Sequence, residues 1–295
     1  MHIVVFGAGS LGSLLGGMLA RAHEVTLVGR DPHITAVRRD GLDVVGVEAF
    51  HVDPAADTVV PDAADLALVA VKSGDTADAA RALADCELAA CCSVQNGMGN
   101  EATLAAELDC PVLSGTCTYG ARLTGPGTVA FTGRGEVVLG ARMGGPSPVA
   151  DEVGEAFDDA GVETTVATDM PTRLWEKLAV NAAVNAVTAL ARVENGALAD
   201  GPGRELAADA ARETARVARA QGIDLTDERA VSSAEQVVRD TAANRSSMLQ
   251  DVEDGCATEI DAINGHVVER AAEPVPVNET LTRLVCLWER GRDDR

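Results

Sequence analysis

Lys177, Asn181 and Asn185 recur at steps of four in a stretch otherwise made of Leu, Ala and Val. On a helix of about 3.6 residues per turn, each step of four drifts by about 40°, so the three side chains share one face. Asparagine is a poor helix former, because its amide competes for backbone hydrogen bonds. Two asparagines and an ammonium in register inside an apolar helix are expensive unless they bind something. The lysine is telling in itself. The chain carries 24 basic residues against 46 acidic ones, and only Lys72 and Lys177 are lysine. Where arginine is otherwise preferred, a retained lysine points to a task a guanidinium does poorly, such as giving up a proton.

A second set of residues lies at the N-terminus. Gly7-Ala8-Gly9-Ser10-Leu11-Gly12 follows the apolar run His2–Phe6 and opens a small-residue segment of helical character, from about Ser10 to Arg21. Between strand and helix this pattern reads as a dinucleotide fingerprint. Gly7 allows a tight turn, Gly9 lets backbone approach a pyrophosphate, and Gly12 permits close helix packing. The helix N-terminus then offers N–H donors and positive dipole to the phosphates. The second strand, Val25–Val28, ends at Arg30, 18 residues after Gly12, where an acid would be expected for NAD. A guanidinium there can take a 2′-phosphate, which favours NADP(H). The neighbouring Asp31 leaves a ribose contact open. Lys72 ends the apolar run Leu66–Val71, on the ligand-binding edge of a parallel sheet, as a cofactor contact or a solvated charge. Asn96, in Ser93–Gly99, either touches the nicotinamide ribose or the reacting groups, or makes a plain Asn-Gly turn. Further on, Ser247 reads as a helix N-cap and Glu259 as first-turn charge on a following helix.

The elements that must position these groups alternate in the first half. Strand-like runs at Leu66–Val71, Leu88–Val94 and Val112–Thr116 are separated by helical segments such as Thr76–Ala84, which implies a parallel sheet covered by helices. Gly125–Gly140 reads as a hairpin closing that sheet. After Val162–Val166 nearly everything is helical: about Thr172–Arg192, Gly203–Gln221, Asp227–Ala243 and Glu259–Ala271. The expected fold is an α/β Rossmann-type dinucleotide-binding domain over residues 1–168, followed by an all-α substrate and catalytic domain over 169–295.

Composition narrows the class. The chain has 295 residues and a formal net charge of −22, which argues against nucleic acid or an anionic membrane as partner. No apolar run reaches about 18 residues, and no basic segment precedes the apolar start, so neither a membrane span nor a signal peptide is expected. Seven scattered cysteines without a CxxC suit buried thiols in a reducing cytoplasm, and no metal site is expected. Acid-rich, lysine-poor composition with two Trp, one Tyr and four Phe suits a salt-filled cytoplasm or a GC-rich genome.

The residues resemble the ketopantoate reductase (2-dehydropantoate 2-reductase) family over nearly the whole chain. The matching stretches are GAGSLG (Gly7–Gly12), VKS (Val71–Ser73), QNGMGN (Gln95–Asn100), WEKLAVNAAVNAVTAL (Trp175–Leu190), ENG (Glu194–Gly196), SSMLQDV (Ser246–Val252), TEIDAING (Thr258–Gly265) and VPVNETL (Val275–Leu281). The resemblance implies reduction of ketopantoate to pantoate by NADPH, in coenzyme A synthesis. It puts the general acid at Lys177 and substrate-binding groups at Asn181, Asn185, Asn244 and Ser247. It puts Glu259 in the polar cluster around Lys177, Asn96 at the nicotinamide, and Arg30 and Lys72 at the adenosine phosphate end. A positioned ammonium can stabilise charge developing on a carbonyl oxygen and supply its proton. The alternatives are a related NADPH-dependent reductase of another 2-oxo acid and a non-catalytic dinucleotide sensor. The latter would need the glycine loop but no proton donor. The expected partners are a small-molecule substrate and, at most, a second copy of the chain.

Overall fold

The computed structural model describes residues 1–293, which divide into two units. Residues 1–95 and 99–170 form one, and residues 96–98 with the chain from Pro171 onward form the other.

The first unit runs β1 (His2–Phe6), α1 (Ser10–Leu19), β2 (Glu24–Val28), α2 (His33–Asp40), β3 (Leu42–Gly46), β4 (Phe50–Val52), β5 (Ala55–Asp57) and β6 (Ala63–Val69). It continues with α3 (Thr76–Leu83), β7 (Glu87–Ser93), α4 (Asn100–Glu107), β8 (Val112–Cys117), β9 (Gly120–Gly125), β10 (Thr128–Gly133), β11 (Val137–Ala141), α5 (Pro148–Asp159) and β12 (Thr164–Val166). Eight strands form one sheet in the order β12-β11-β8-β7-β6-β1-β2-β5. All its neighbours are parallel except β8 and β11. The strand order reverses at β1, which has β2 on one side and β6 on the other. Ligands of open α/β sheets bind at the carboxyl ends of strands beside such a switch point, and the glycine loop leaves β1 there. The continuous apolar runs are explained by burial on both faces: Ile3, Val4 and Val5 are fully enclosed, as are Leu66–Val69. Cys91 and Cys92 are fully buried in separate apolar clusters, and burial pushes the Cys92 thiol up to about 12, leaving it an inert packing group.

The hairpin differs from its sequence expectation. β9 and β10 pair with each other, but β10 also runs parallel to β3, so the hairpin belongs to a second sheet ordered β4-β3-β10-β9. The main sheet is continued instead by β11 and β12. The apolar side chains of the hairpin, Leu123, Val129 and Phe131, pack into the α1 core, which turns it away from β8.

The second unit is helical: α6 (Met170–Ala191), α7 (Gly201–Ala220), α8 (Asp227–Asp240), α9 (Ser247–Asp254), α10 (His266–Arg270) and α11 (Pro276–Asp293). Its core is unusually rich in alanine, with Ala179, Ala182, Ala183 and Ala186 sharing one cluster with Ala210, Ala211, Ala215 and Ala218. The amphipathic segment expected over Glu259–Ala271 is not one α-helix. It opens as a π turn over Asp261–Gly265, with Gly265 N donating to Ile260 O at 2.9 Å, and only then becomes α10. Among the described residues no helix is long and apolar enough to cross a membrane.

Candidate active site

In the first unit the glycine loop is built by close backbone contacts. Gly7 has φ +105°, and a Cβ on it would stand 2.7 Å from the amide nitrogen of Val71. A Cβ on Gly12 would stand 2.1 Å from the carbonyl oxygen of Gly7. Both positions therefore exclude a side chain. Gly9 is the opposite case, because no heavy atom among the described residues lies within 4 Å of where its Cβ would be. The carbonyl of Val28 accepts from the amides of Gly7 (2.9 Å) and Ala8 (3.0 Å), and Gly9 O accepts from Ser13 N at 2.9 Å. The amides of Ser10, Leu11 and Gly12 thus stand at the mouth of α1, without a backbone acceptor among the described residues. The Ser10 hydroxyl accepts from Leu123 N at 3.0 Å, which ties the loop to β9 and leaves its proton to donate. Open space at Gly9, facing helix amides, fits the pyrophosphate of a dinucleotide.

Arg30 is exposed just beyond β2 and makes no ion pair among the described residues. The neighbouring Asp31 is committed elsewhere. Its Oδ1 accepts from Thr35 N (3.1 Å) and Thr35 Oγ1 (2.6 Å), capping α2. Lys72 lies three residues beyond the end of β6, not on the strand itself, at the head of a short 3-10 turn over Ser73–Asp75. A buried chain of polar groups holds this turn. Gln95 Nε2 donates to Thr76 Oγ1 (2.7 Å), Thr76 Oγ1 to Asn100 Oδ1 (2.8 Å), and Asn100 Nδ2 lies 3.4 Å from Ser73 Oγ. The VKS and QNGMGN stretches are thus two halves of one hydrogen-bonded scaffold. Its buried members were not evident in the sequence, where a polar residue after a strand looks the same whether buried or exposed.

In the second unit the polar stripe lies on α6, with Lys177 and Asn181 half-buried and Asn185 6% exposed. Asn96 and Met98 belong to this unit. Met98 N donates to Ala262 O at 3.1 Å, and Asn96 Nδ2 donates to Glu259 Oε2 at 3.4 Å. Glu259 stands just before the π turn rather than inside a helix, and its carbonyl accepts the first helical bond of that segment, from Ile263 N at 3.1 Å. The preceding Thr258 is anchored by Glu289, whose Oε1 accepts from its amide (2.7 Å) and hydroxyl (2.8 Å). Glu176, next to Lys177, serves packing. Burial alone would raise its pKa, but hydrogen bonds from Arg229 (2.6 Å) and Ser233 (2.6 Å) outweigh that and hold it below the usual range, tying α6 to α8.

The N-cap of α9 is Ser246, not Ser247. Ser246 Oγ accepts from Leu249 N at 3.1 Å and from Thr188 Oγ1 of α6 at 2.7 Å. Ser247 is the first helical residue, with its side chain exposed. Two adjacent serines are indistinguishable in the sequence. Packing against α6 selects the one that is buried. Asn244 is exposed on the loop before α9, and its carbonyl accepts from Asn195 N at 2.9 Å. Gly196 explains the rest of the ENG stretch, since a Cβ there would stand 2.8 Å from Ala242 O. The ENG turn therefore braces the loop that carries Asn244 and Ser247.

Residues 3–144 match the family described as ketopantoate reductase PanE/ApbA, and residues 169–289 match its C-terminal domain. The chain belongs to the ketopantoate reductase PanE/ApbA family. It is 45% identical over 302 residues to the 2-dehydropantoate 2-reductase of Halobacterium salinarum, covering 98% of this chain and 99% of that one. The crystal structure of a PanE/ApbA family ketopantoate reductase from Ralstonia eutropha superposes with a TM-score of 0.90 at 33% identity, covering 99% of this chain and 100% of that one. A D-mandelate dehydrogenase in complex with NADH and anilino(oxo)acetate shares the fold, with a TM-score of 0.93 at 23% identity and 99% of each chain covered.

Proposed function

We propose that this chain reduces ketopantoate to pantoate with NADPH, as a cytoplasmic enzyme of coenzyme A precursor synthesis. The observation that carries the reading is the Lys177–Asn181–Asn185 stripe on α6, in a family whose curated relatives are named 2-dehydropantoate 2-reductase.

Gly7–Gly12 and the mouth of α1 would hold the pyrophosphate, with Lys72 beside it and Arg30 taking the 2′-phosphate. Held there, a reduced nicotinamide would supply the hydride that the carbonyl carbon takes up. Lys177 stabilises the negative charge that develops on the carbonyl oxygen and delivers its proton. Glu259 favours the charged form of Lys177 against desolvation, and its hydrogen bond to Asn96 orients the carboxylate. Asn181, Asn185 and Asn244 offer both donors and acceptors to a substrate rich in hydroxyl and carbonyl groups. Ser247, in the first turn of α9, takes the carboxylate with help from the helix amides.

The test is NADPH oxidation followed with ketopantoate beside a panel of 2-oxo acids that includes aryl glyoxylates. A kcat/KM highest for ketopantoate supports the reading. A higher value for another acid makes this a reductase of that acid, and absence of turnover with all of them leaves a dinucleotide-binding protein.

A further inference from the structure

A buried polar chain crosses the helical unit and ends on the backbone of α6, the helix that carries the Lys177 stripe. Glu213 of α7 is 6% exposed, and its carboxylate accepts from Val277 N (3.1 Å), Asn278 N (2.9 Å) and Asn278 Nδ2 (2.9 Å). It thereby caps the N-terminus of α11, where the helix dipole favours negative charge. Asn278 Nδ2 also donates to Ala210 O at 3.1 Å, and its Oδ1 accepts from Asn264 Nδ2 at 3.0 Å. Asn264 Nδ2 spends its second proton on Ala182 O, at 3.1 Å. Asn264 and Asn278 are fully buried.

The Asn264–Ala182 end of this chain is where the proposed chemistry is. Ala182 lies on α6 between Asn181 and Asn185. Asn264 lies in the π turn that begins two residues after Glu259, and Ile263 N is bonded to the Glu259 carbonyl. A π turn has an extra residue per turn and recurs at functional sites. Burying two carboxamides and a carboxylate costs free energy that apolar residues of the same volume would not, so their retention calls for a positional role. Both protons of one amide group are needed, one for each neighbour, and that is a geometric constraint no apolar side chain supplies.

We propose that Asn264, held by Asn278 and Glu213, is a positioning residue that fixes the π turn against α6 and so sets Glu259 in register with the Lys177 stripe. The proposal rests on the roles given to Lys177 and Glu259 above. It touches neither substrate nor cofactor, and acts through the backbone carbonyl of Ala182 and the backbone of the turn.

The test compares Asn264→Ala and the milder Asn264→Ser with Leu225→Ala, a substitution in the same core but outside the polar chain. Activity is read on folded protein well below each Tm. Because the chain has two lysines, lysine labelled with carbon-13 at Cε gives separate titrations for Lys177 and Lys72. The expected result for Asn264→Ala is kcat lower by about 10- to 100-fold, the scale of a small misplacement, with KM for NADPH unchanged. The Lys177 titration midpoint falls as Glu259 loses its register, while that of Lys72 stays. Asn264→Ser falls between Asn264→Ala and wild type. If Asn264→Ala behaves as Leu225→Ala does, with lower Tm but wild-type kcat and Lys177 midpoint, the residue is structural only and the proposal is overturned. If the wild type does not reduce ketopantoate, yet the Lys177 midpoint moves in Asn264→Ala, the substrate reading fails and the positioning role stands.

Discussion

Thr35 takes up the carboxylate of Asp31, with its amide at 3.1 Å and its hydroxyl at 2.6 Å from Oδ1. An acid just past β2 would ordinarily serve the ribose hydroxyls of NAD. Here it caps α2, and Arg30 is left as the charged group facing outward at that position. NADPH is therefore expected to be preferred over NADH. Arg30→Ala should weaken NADPH binding by about 1.5–3 kcal/mol, the range for a charged hydrogen bond, and leave NADH binding nearly as it was. Asp31→Ala should cost about 1 kcal/mol of stability as a lost cap without changing cofactor choice. Titration of both cofactors into the three proteins decides the matter, and equal wild-type affinities would refute it.

Lys177 gives the sharpest kinetic expectation. Lys177→Ala should lower kcat at least ~10²-fold, the usual scale for a positioned acid, with NADPH binding unaffected. Lys177→Arg should not rescue it, because a guanidinium is a poor proton donor. An arginine variant that keeps most of its activity would reduce the role of Lys177 to charge stabilisation.

The two serines before α9 should separate cleanly. Ser246→Ala removes the helix cap and leaves the Thr188 hydroxyl without that partner, so unfolding free energy should drop by about 1–3 kcal/mol. Ser247→Ala should leave stability unchanged and raise KM for the keto acid. Urea unfolding and initial rates on both variants make the comparison. A stability loss in Ser247→Ala would reverse the assignment.

His33 couples the first unit to pH. Its Nδ1 accepts from Gly127 N at 3.1 Å, so the ring is neutral and Nε2 carries the proton toward Ser13 Oγ at 3.0 Å. Burial lowers its pKa below the ordinary 6.5. The unfolded chain thus takes up a proton at a pH where the folded chain still refuses it. This contribution to stability is whole above about pH 6.5 and is lost as pH falls from there toward the folded value. Urea midpoints between pH 8 and 5 should fall more steeply in the wild type than in His33→Gln. Parallel curves would remove His33 from the account.

The net charge of −22 sets a last expectation, since both proposed ligands are anions. Asp151, Glu152, Glu155, Asp158 and Asp159 are all exposed along α5, where salt screens them. The Debye length shrinks from about 10 Å at 0.1 M to about 3 Å at 1 M. Distant repulsion should therefore weaken more than the short contacts of Arg30, Lys72 and Lys177, and kcat/KM for ketopantoate should rise over that range, along with stability. A KCl titration of rates with parallel circular dichroism tests this, and rates that fall while the fold persists would count against a salt-adapted surface.

What the sequence determined by itself was whatever depends on neighbours in the chain. The glycine loop between β1 and α1, the arginine past β2 and the four-residue stripe of α6 are local patterns, and local geometry follows from them. The same holds for the parallel sheet, whose buried strands need continuous apolar runs. Tertiary structure decided the rest, because the deciding contacts join residues far apart. Nothing local distinguishes Ser246 from Ser247, or says that β10 will prefer β3 to the main sheet. Nothing local pairs Asn96 with Glu259, 163 residues away. Asn185 and Asn264 are the same residue type on apolar segments, yet the first lies on the stripe and the second is sealed between Ala182 and Asn278. A carboxamide donates and accepts equally well to a ligand or to a backbone carbonyl, so only the packed structure settles which of the two it meets.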